Sequence, residues 1–190
     1  MSDQKLKPWR VISKHKEYSC PIWQVIRKEV VSSSGDIKGS FYVTETNPWV
    51  NVLALDRKEN VILVEQYRHG IEEITWEIPA GVVDDTDNSA LSAAQRELNE
   101  ETGYTTEKWI HLGHVSANPA IMNNRCDIFL ARDCQKINDQ ELDASEEVRV
   151  KTVPVDEFLD LVANSEIHHS LAVASVAKWL IYQNRGGDES

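Results

Sequence analysis

The sequence predicts an α+β fold in which a mixed β-sheet is accompanied by few helices. Three observations indicate this class. Segments rich in β-branched and aromatic residues recur along the chain, and in its first half only short turns separate them. Helical periodicity is found in just three segments. The length of 190 residues, of which 41% are hydrophobic, is that of one domain with a sizeable core and at most a small appendage.

The N-terminal part has the pattern of an antiparallel β-hairpin. Residues 22–31 and 39–45 are strand-like, and the intervening SSSGDIKG supplies turn residues. A further strand is possible near Trp9–Ile12. We expect residues 1–45 to form a small antiparallel β subdomain and residues 46–190 to form the main domain.

The main domain has six further strand patterns. Pro79-Ala80-Gly81 ends the third of them, and we expect the polar VVDDTDN segment after it to be a loop. The six strands are predicted at 50–56, 60–68, 74–78, 109–116, 126–131 and 148–153.

The strongest helical pattern covers residues 89–101. Asn88 or Ser89 can cap its start, and Gly103 lies just beyond its end, where a left-handed residue commonly terminates a helix. Two later helices are predicted at 155–163 and 170–183.

The charge distribution excludes several classes of function. The 20 basic and 31 acidic residues give a net charge of −11, which disfavours general binding to nucleic acids.

No apolar run approaches the length of a membrane span, and the N-terminus lacks the apolar stretch of a signal peptide. The three cysteines are widely spaced and odd in number, so we expect neither a disulfide scaffold nor a zinc site, and a cytoplasmic location.

Two acidic clusters stand on an otherwise nearly neutral chain. Residues 71–104 contain nine acids and one base, Arg96, and a second cluster between residues 139 and 147 contains five acids and no base. Each cluster is either a solvated acidic surface or a source of oxygen ligands for a divalent cation.

Three glutamates at the end of the first helix favour the second interpretation. Glu97 and Glu101 are four residues apart and share a face, and Glu100 is their neighbour. These carboxylates repel one another, and the negative end of the helix dipole disfavours them. A bound divalent cation would reverse that cost.

The segment GVVDDTDNSALSAAQRELNEETGY, residues 81–104, resembles the Nudix box of Nudix hydrolases. Gly81 matches the first glycine of that pattern, and the run from Arg96 to Tyr104 matches its second half. The stretch between these parts is one residue longer than the pattern. The first glutamate of the pattern therefore falls on Asp87 counted from Gly81, or on Asn88 counted from Arg96.

The resemblance covers roughly residues 45–165 and implies a Nudix fold, an α/β/α sandwich with a mixed sheet. VILVEQYR, WEIPAG and PVDEFLDLV are similar to the branch that hydrolyses ADP-ribose and other nucleoside diphosphate sugars. The implied reaction cleaves a diphosphate with Mg²⁺, or Mn²⁺ as a substitute, giving a nucleoside monophosphate and a sugar phosphate. ADP-ribose is the first expected substrate, and GDP-mannose-type sugars are the next.

Two alternatives remain open. One is a Nudix-type sensor that binds a nucleotide without hydrolysing it. The other is a Nudix enzyme that acts on nucleoside triphosphates, dinucleoside polyphosphates or capped RNA.

The resemblance also implies roles for residues near the metal. Glu97 and Glu101 correspond to the main ligands, with assistance from Glu100 and from the backbone carbonyl of Ala80. Arg96 corresponds to an arginine that orients the glutamates, although it is alternatively an ordinary surface ion pair.

The general base of this branch often lies in an acidic loop after the box. We therefore expect Glu146, or failing that Glu147, in this role, unless the segment is only a solvated loop.

Substrate contacts are expected from five residues. Arg68 in EQYR resembles a phosphate ligand, or forms a salt bridge to Glu72 or Glu77. Glu77 in WEIPAG resembles a supporting carboxylate. Trp23 and Trp49 either stack on a base or fill the core, and Asn118 is a candidate on the sugar side, although its loop departs from the segment common in ADP-ribose hydrolases.

The N-terminal hairpin is expected to mediate assembly. A hairpin with apolar residues on both faces must pack on something, and the basic charge of this part suits an anionic substrate. The resemblance implies a homodimer in which residues 1–45 pack across subunits and line the partner's substrate pocket.

Overall fold

The computed structural model describes residues 5–142 and 147–187 and divides into two compact units. The first unit contains the chain up to Asn47 together with Asn118–Asn124, and the second contains Pro48–Ala117 and the chain from Arg125 onward. Among the described residues, no helix combines the length and the apolar character that crossing a membrane requires.

The first unit is a three-stranded antiparallel sheet. Its strands are β1 (Arg10–Ser19), β2 (Gln24–Val31) and β3 (Lys38–Glu45), in that spatial order. The predicted hairpin is thus confirmed, and the strand suspected near Trp9–Ile12 is longer than its local pattern indicated. The loop Asn118–Asn124 joins this unit because the Thr44 amide donates to the carbonyl of Ile121 at 2.7 Å.

The second unit contains eight described strands and three helices. The strands are β4 (Trp49–Asp56), β5 (Asn60–Arg68), β6 (Glu73–Glu77), β7 (Ala80–Val82), β8 (Tyr104–Thr105), β9 (Lys108–Ser116), β10 (Arg125–Lys136) and β11 (Val148–Pro154). The helices are α1 (Ala90–Thr102), α2 (Val155–Ala163) and α3 (Ser170–Asn184). Strand β7 was not predicted. The residues expected to end a strand and enter a loop instead pair with β4, where Ala80 lies opposite Asn51.

The sheet is mixed and is covered by helices on both faces. Its order is β11-β5-β4-β10-β8, with β6 on β5, β7 on β4 and β9 on β10; β4 and β10 are parallel, and the other pairs are antiparallel. Phe158 of α2 and Trp179 of α3 pack with Leu63 on one face, whereas Leu98 of α1 packs with Val52 on the other. This arrangement confirms the predicted sandwich.

Helix α1 has well-defined ends. The Ser89 hydroxyl accepts a hydrogen bond from the Ser92 amide, so Ser89 and not Asn88 is the N-cap. Gly103 ends the helix with φ +74°, and the carbonyl oxygen of Asn138 lies 2.1 Å from the position that a Cβ atom would occupy there. Both observations require glycine at the end of the helix.

Strands β4 and β5 separate soon after the turn that joins them. The two strands share the residue pair Leu55 and Val61, and farther along β5 pairs with β6 while β4 pairs with β7. The segment from Glu77 to Gly81 crosses from β6 to β7 and therefore lies where the two strands have diverged. Strand β7 in turn lies against α1, where the Ala80 amide donates to Glu101.

Candidate functional site

Arg96 lies at the centre of a cluster of carboxylates. Its Nη1 donates to Glu97 Oε1 and to Glu100 Oε2, both at 2.9 Å, and its Nη2 donates to the carbonyl of Val82, also at 2.9 Å. Its Nη2 lies 3.7 Å from Asp84 Oδ2. The predicted pairing of Arg96 with the helical glutamates is thus present.

Asp87 completes this cluster from the loop before α1. Its carboxylate accepts from Arg96 Nε at 3.2 Å and from Arg96 Nη2 at 2.8 Å, and its side chain is 5% exposed. The hydrogen bond from Arg96 lowers the pKa of Asp87, and the same bond raises the pKa of Arg96. The structure therefore favours Asp87 over Asn88 as the residue that corresponds to the first glutamate of the box.

The absence of a side chain at Gly81 leaves room for the carboxylate of Glu97. A Cβ atom at Gly81 would lie 1.9 Å from Glu97 Oε1, so the carboxylate occupies space that any other residue would fill. The glycine predicted from the motif therefore allows a helical carboxylate to lie directly against the backbone of β7.

Glu101 joins the end of α1 to the same stretch of backbone. Its side chain is buried, and its Oε2 accepts from the Ala80 amide at 3.0 Å. Ala80 is held in turn by its pairing with Asn51 of β4. Glu97 and Glu101 thus lie against adjacent residues, and the Ala80 carbonyl belongs to that same segment.

Hydrogen bonds fix the start of the second acidic cluster to α1. The Glu141 amide donates to the carbonyl of Glu100 at 2.9 Å. Gln140 Nε2 donates to the carbonyls of Glu101 at 2.6 Å and Val148 at 3.1 Å. Of the two predicted bases, Glu146 lies outside the described residues, and Glu147 is exposed.

A different cluster surrounds the buried carboxylate of Glu77. Arg68 donates to both of its oxygens, from Nε to Oε1 at 2.8 Å and from Nη2 to Oε2 at 2.7 Å. Thr75 Oγ1 donates to Oε1 at 2.7 Å, and His169 Nδ1 lies 2.9 Å from Oε2. The salt bridge considered as the alternative for Arg68 is therefore present, with Glu77 as the partner.

These contacts keep Glu77 ionised. Burial alone raises its pKa, but the hydrogen bonds from Arg68, His169 and Thr75 and the positive charge of Arg68 outweigh burial and lower the pKa well below its usual value of 4.5. The Arg68 side chain is 38% exposed, whereas that of Glu77 is 2% exposed. The pair therefore presents a cationic end to solvent and hides its anionic end.

The other predicted substrate residues are distributed over both units. In the first unit, Trp23 contacts Tyr18 with ring centroids 5.2 Å apart and lines a cavity of about 290 Å³ with Glu45. Asn118 is exposed in the loop of that unit. In the second unit, Trp49 opens β4, where it lies opposite Val82.

His169 is the residue of the site that sequence reasoning missed. The adjacent pair His168 and His169 shows no ligand spacing, and the sequence alone indicates only polar residues at the start of a helix. His169 does occupy the N-cap position of α3, but its ring is directed at Glu77, 92 residues earlier in the chain. Only a long-range contact reveals this role, and no local pattern signals it.

The arrangement around Arg96 has the chemistry of a site for a hard cation. Glu97, Glu100, Glu101 and the Ala80 carbonyl are all oxygen donors, and they are concentrated where one arginine faces several carboxylates. The close approach of Glu97 to Gly81 places it beside the same backbone. In the present arrangement, no three His, Cys, Asp or Glu side chains among the described residues converge on one point as metal ligands.

The NUDIX domain family model matches residues 46–173 of the chain. The chain is 33% identical over 120 residues to an ADP-ribose pyrophosphatase of Bacillus subtilis, covering 63% of this chain and 64% of that protein. It is 30% identical over 128 residues to an ADP-ribose pyrophosphatase of Mycobacterium tuberculosis, covering 67% and 62%. The chain thus spans slightly less than two thirds of the length of these two relatives.

A third relative has a similar sequence identity but is named for a different activity. The chain is 31% identical over 128 residues to a methanol dehydrogenase activator of Bacillus methanolicus, covering 67% of this chain and 69% of that protein. Among solved structures, a crystal structure of an ADP compounds hydrolase has a TM-score of 0.81 at 21% identity and covers 96% of this chain and all of that chain. At that identity, the likeness establishes the fold.

Proposed function

The chain belongs to the NUDIX domain family, and on this premise we propose that it hydrolyses nucleoside diphosphate sugars in a Mg²⁺-dependent reaction. The products are a nucleoside monophosphate and a sugar phosphate. ADP-ribose is the first substrate we propose, and GDP-mannose-type sugars are the second. The observation that carries the proposal is the cluster in which Glu97, Glu100 and Asp87 surround Arg96 while Glu101 binds the Ala80 amide.

The metal ligands in this proposal are Glu97, Glu100, Glu101 and the backbone carbonyl of Ala80. A divalent cation bound there, Mg²⁺ or Mn²⁺ as a substitute, lowers the pKa of bound water and offsets the charge that develops on the phosphate oxygens. Arg96 orients Glu97 and Glu100, because it donates to both carboxylates. Gly81 keeps open the space into which Glu97 extends.

In this proposal Arg68 binds the substrate, and Glu77 is its supporting carboxylate. A diphosphate is an anion, so the acidic end of α1 requires a cationic partner nearby to hold it. The guanidinium of Arg68 is suited to phosphate because its N–H groups form a fixed, planar set of donors. Glu77 holds that guanidinium through two parallel hydrogen bonds.

Glu146 is the general base that we propose, with Glu147 as the second candidate. The base removes a proton from the attacking water, the new P–O bond forms, and the P–O bond to the leaving phosphate breaks. The support for this assignment comes from the hydrogen bonds at the two ends of the acidic segment. Gln140 ties the carbonyl of Glu101 to that of Val148, so both ends of the segment lie at the end of α1 that carries the glutamates.

Three further residues are proposed for the nucleoside and the sugar. The exposed ring of Trp23 and the cavity beside it favour stacking on a base, because every base presents an apolar face to an aromatic ring. Trp49 is the second aromatic candidate. Asn118, exposed in the loop of the first unit, is proposed for the sugar.

We also propose a cytoplasmic homodimer in which the first unit mediates association. The three cysteines of the chain are free, which suits a reducing compartment. Trp9, Val11 and Phe41 are large apolar side chains that lie exposed on the sheet of the first unit. Light scattering is expected to give twice the chain mass of 21.6 kDa, whereas a fully active monomer would refute the dimer.

A panel of substrates tests the proposed reaction. Purified protein is incubated with Mg²⁺ and with ADP-ribose, GDP-mannose, a nucleoside triphosphate, a dinucleoside polyphosphate or capped RNA, and the terminal phosphates released are counted after phosphatase treatment. The proposal predicts that the nucleoside diphosphate sugars give the highest kcat/KM. A preference for triphosphates or polyphosphates would refute the substrate class, and binding of ADP-ribose without turnover would identify a sensor.

A further inference from the structure

We propose that His169 is a positioning residue, which acts through Glu77 to hold the guanidinium of Arg68 in the orientation that binds the substrate diphosphate. The inference rests on the proposed function, in which Arg68 binds a phosphate. It assigns a role to a histidine that has no place in the motif of residues 81–104. The role follows from four contacts on one buried carboxylate.

Each oxygen of Glu77 has two polar neighbours. Oε1 accepts from Arg68 Nε at 2.8 Å and from Thr75 Oγ1 at 2.7 Å. Oε2 accepts from Arg68 Nη2 at 2.7 Å, and His169 Nδ1 lies 2.9 Å away from the same oxygen. Arg68 therefore holds the carboxylate along one edge, the Thr75 hydroxyl donates to one oxygen, and the His169 ring nitrogen lies against the other.

The orientation of Arg68 depends on that of Glu77. A two-bond pair between a guanidinium and a carboxylate keeps the two planar groups aligned, so a rotation of one turns the other. The side chain of Arg68 is long and partly exposed, and it has many rotamers of its own. A fixed carboxylate selects one of them, and Thr75 and His169 are the groups that fix the carboxylate.

His169 is itself held by a rigid element. It is the N-cap residue of α3, and its carbonyl accepts from the Val173 amide at 3.1 Å. The next turns of α3 are tied to the sheet, because Asn51 Nδ2 donates to the buried Ser175 hydroxyl at 3.3 Å. Asn51 pairs with Ala80, so the same helix braces the segment between Glu77 and Ala80 from two sides.

The chain offers a matched control for this test. His168 precedes His169 at the same helix start, but its Nε2 lies 3.9 Å from Glu73 and its side chain is 42% exposed. We therefore compare His169→Ala and His168→Ala. His169→Asn is the rescue variant, because an asparagine amide can place a donor near the position of Nδ1.

Kinetics with ADP-ribose separate positioning from catalysis. Misdirected Arg68 loses an interaction made equally with the substrate and the transition state, so His169→Ala is expected to raise KM about tenfold with kcat within about twofold. His168→Ala and His169→Asn are expected to stay within about twofold of the wild type in both constants. A loss confined to kcat, or an equal effect of His168→Ala, would overturn the assignment.

A double-mutant cycle tests whether His169 acts through Arg68. If it does, adding His169→Ala to Arg68→Ala changes KM by less than about twofold, because there is no longer a guanidinium to position. Independent effects of the two substitutions would overturn the proposal and leave His169 a merely structural residue.

A spectroscopic measurement keeps the test separate from the proposed function. In the wild type, the Nε–H of Arg68 is expected to give a slowly exchanging ¹⁵N–¹H signal, identified by its loss in Arg68→Lys. His169→Ala is expected to accelerate its exchange about tenfold or more, since local opening exposes the N–H to water, whereas His168→Ala leaves it unchanged. If the wild type hydrolyses no diphosphate sugar, the proposed function fails, and this signal still decides whether His169 orders Arg68. An unaltered signal in His169→Ala would refute the positioning role.

Discussion

Two arginines of the second unit, Arg96 and Arg68, are set among carboxylates in opposite ways. Arg96 contacts the four carboxylates of Asp84, Asp87, Glu97 and Glu100. Arg68 instead joins Thr75 and His169 around the buried carboxylate of Glu77. The first cluster gathers several carboxylates around one arginine, whereas in the second several polar groups surround one carboxylate.

The difference indicates what each cluster binds. Several carboxylates around one cation remain mutually repulsive, and a further cation relieves that repulsion. The carboxylate of Glu77 is already satisfied by hydrogen bonds, and the exposed edge of the pair belongs to a guanidinium. These features support the proposal that the Arg96 cluster receives a divalent cation and that the Arg68 cluster receives an anion.

The largest expected effect is the loss of turnover on neutralising the helical glutamates. Glu97→Gln and Glu101→Gln are each expected to lower kcat by about a thousandfold or more, since each removes a charged oxygen from the proposed metal site. Glu107→Gln, an exposed glutamate that follows β8, serves as the control. Steady-state rates at saturating Mg²⁺ that stay near the wild-type value in both variants would contradict the assignment.

The next effect distinguishes a base from a metal ligand at the same end of α1. Glu146→Gln is expected to lower kcat by about a hundredfold or more with little change in the Mg²⁺ concentration for half-maximal rate. The reason is that a base acts on water and does not hold the metal. If Glu147→Gln is the variant that loses activity, the base is Glu147. If both variants keep their rates, the base lies elsewhere.

Thermal unfolding compares the two clusters directly. Mg²⁺ at a hundredfold excess over its Kd is expected to stabilise the wild type by about 2 to 3 kcal/mol, seen as a rise in Tm. The rise should vanish in Glu97→Gln and persist in Glu77→Gln, because Glu97 is a proposed metal ligand and Glu77 is not. An equal loss of the Mg²⁺ effect in both variants would contradict the assignment of Mg²⁺ to the Arg96 cluster.

Acid unfolding gives the smallest effect and reports on the Arg68 cluster. Glu77 has a lower pKa in the folded protein than in the unfolded chain, so the unfolded chain binds more protons as the pH falls below the usual value of 4.5. Its contribution to stability is therefore complete above that pH and is lost as the pH falls toward the folded-state pKa. Denaturant titrations between about pH 6 and pH 3 should show a steeper decline in the wild type than in Glu77→Gln. Parallel declines would contradict the assigned role of Glu77.

Local patterns were sufficient to predict most elements of the fold. The helical pattern over residues 89–101 and the glycine at position 103 predicted α1 to within one residue at each end. Runs rich in β-branched and aromatic residues predicted the longer strands, because such side chains pack well on a pleated, buried surface. Strand β7 escaped prediction because its three residues are too few to show a period, and its pairing with β4 is a long-range contact.

The sequence by itself determined the composition of the acidic end of α1, where we propose that the metal binds. Arg96, Glu97, Glu100 and Glu101 lie within two helical turns, so helix geometry alone brings them together. Gly81 was singled out by the motif alone, but only the structure shows that Glu97 fills the space of its missing side chain.

Tertiary structure alone decided the contacts that reach these two clusters from other elements. It placed Asp87 and not Asn88 against Arg96, since a loop conformation and not a residue count sets that distance. It also brought His169 to Glu77 across 92 residues. A helix repeats every few residues and leaves its contacts visible in the sequence, whereas a contact between a strand and a distant helix depends on how the whole sheet packs, and no local pattern encodes it.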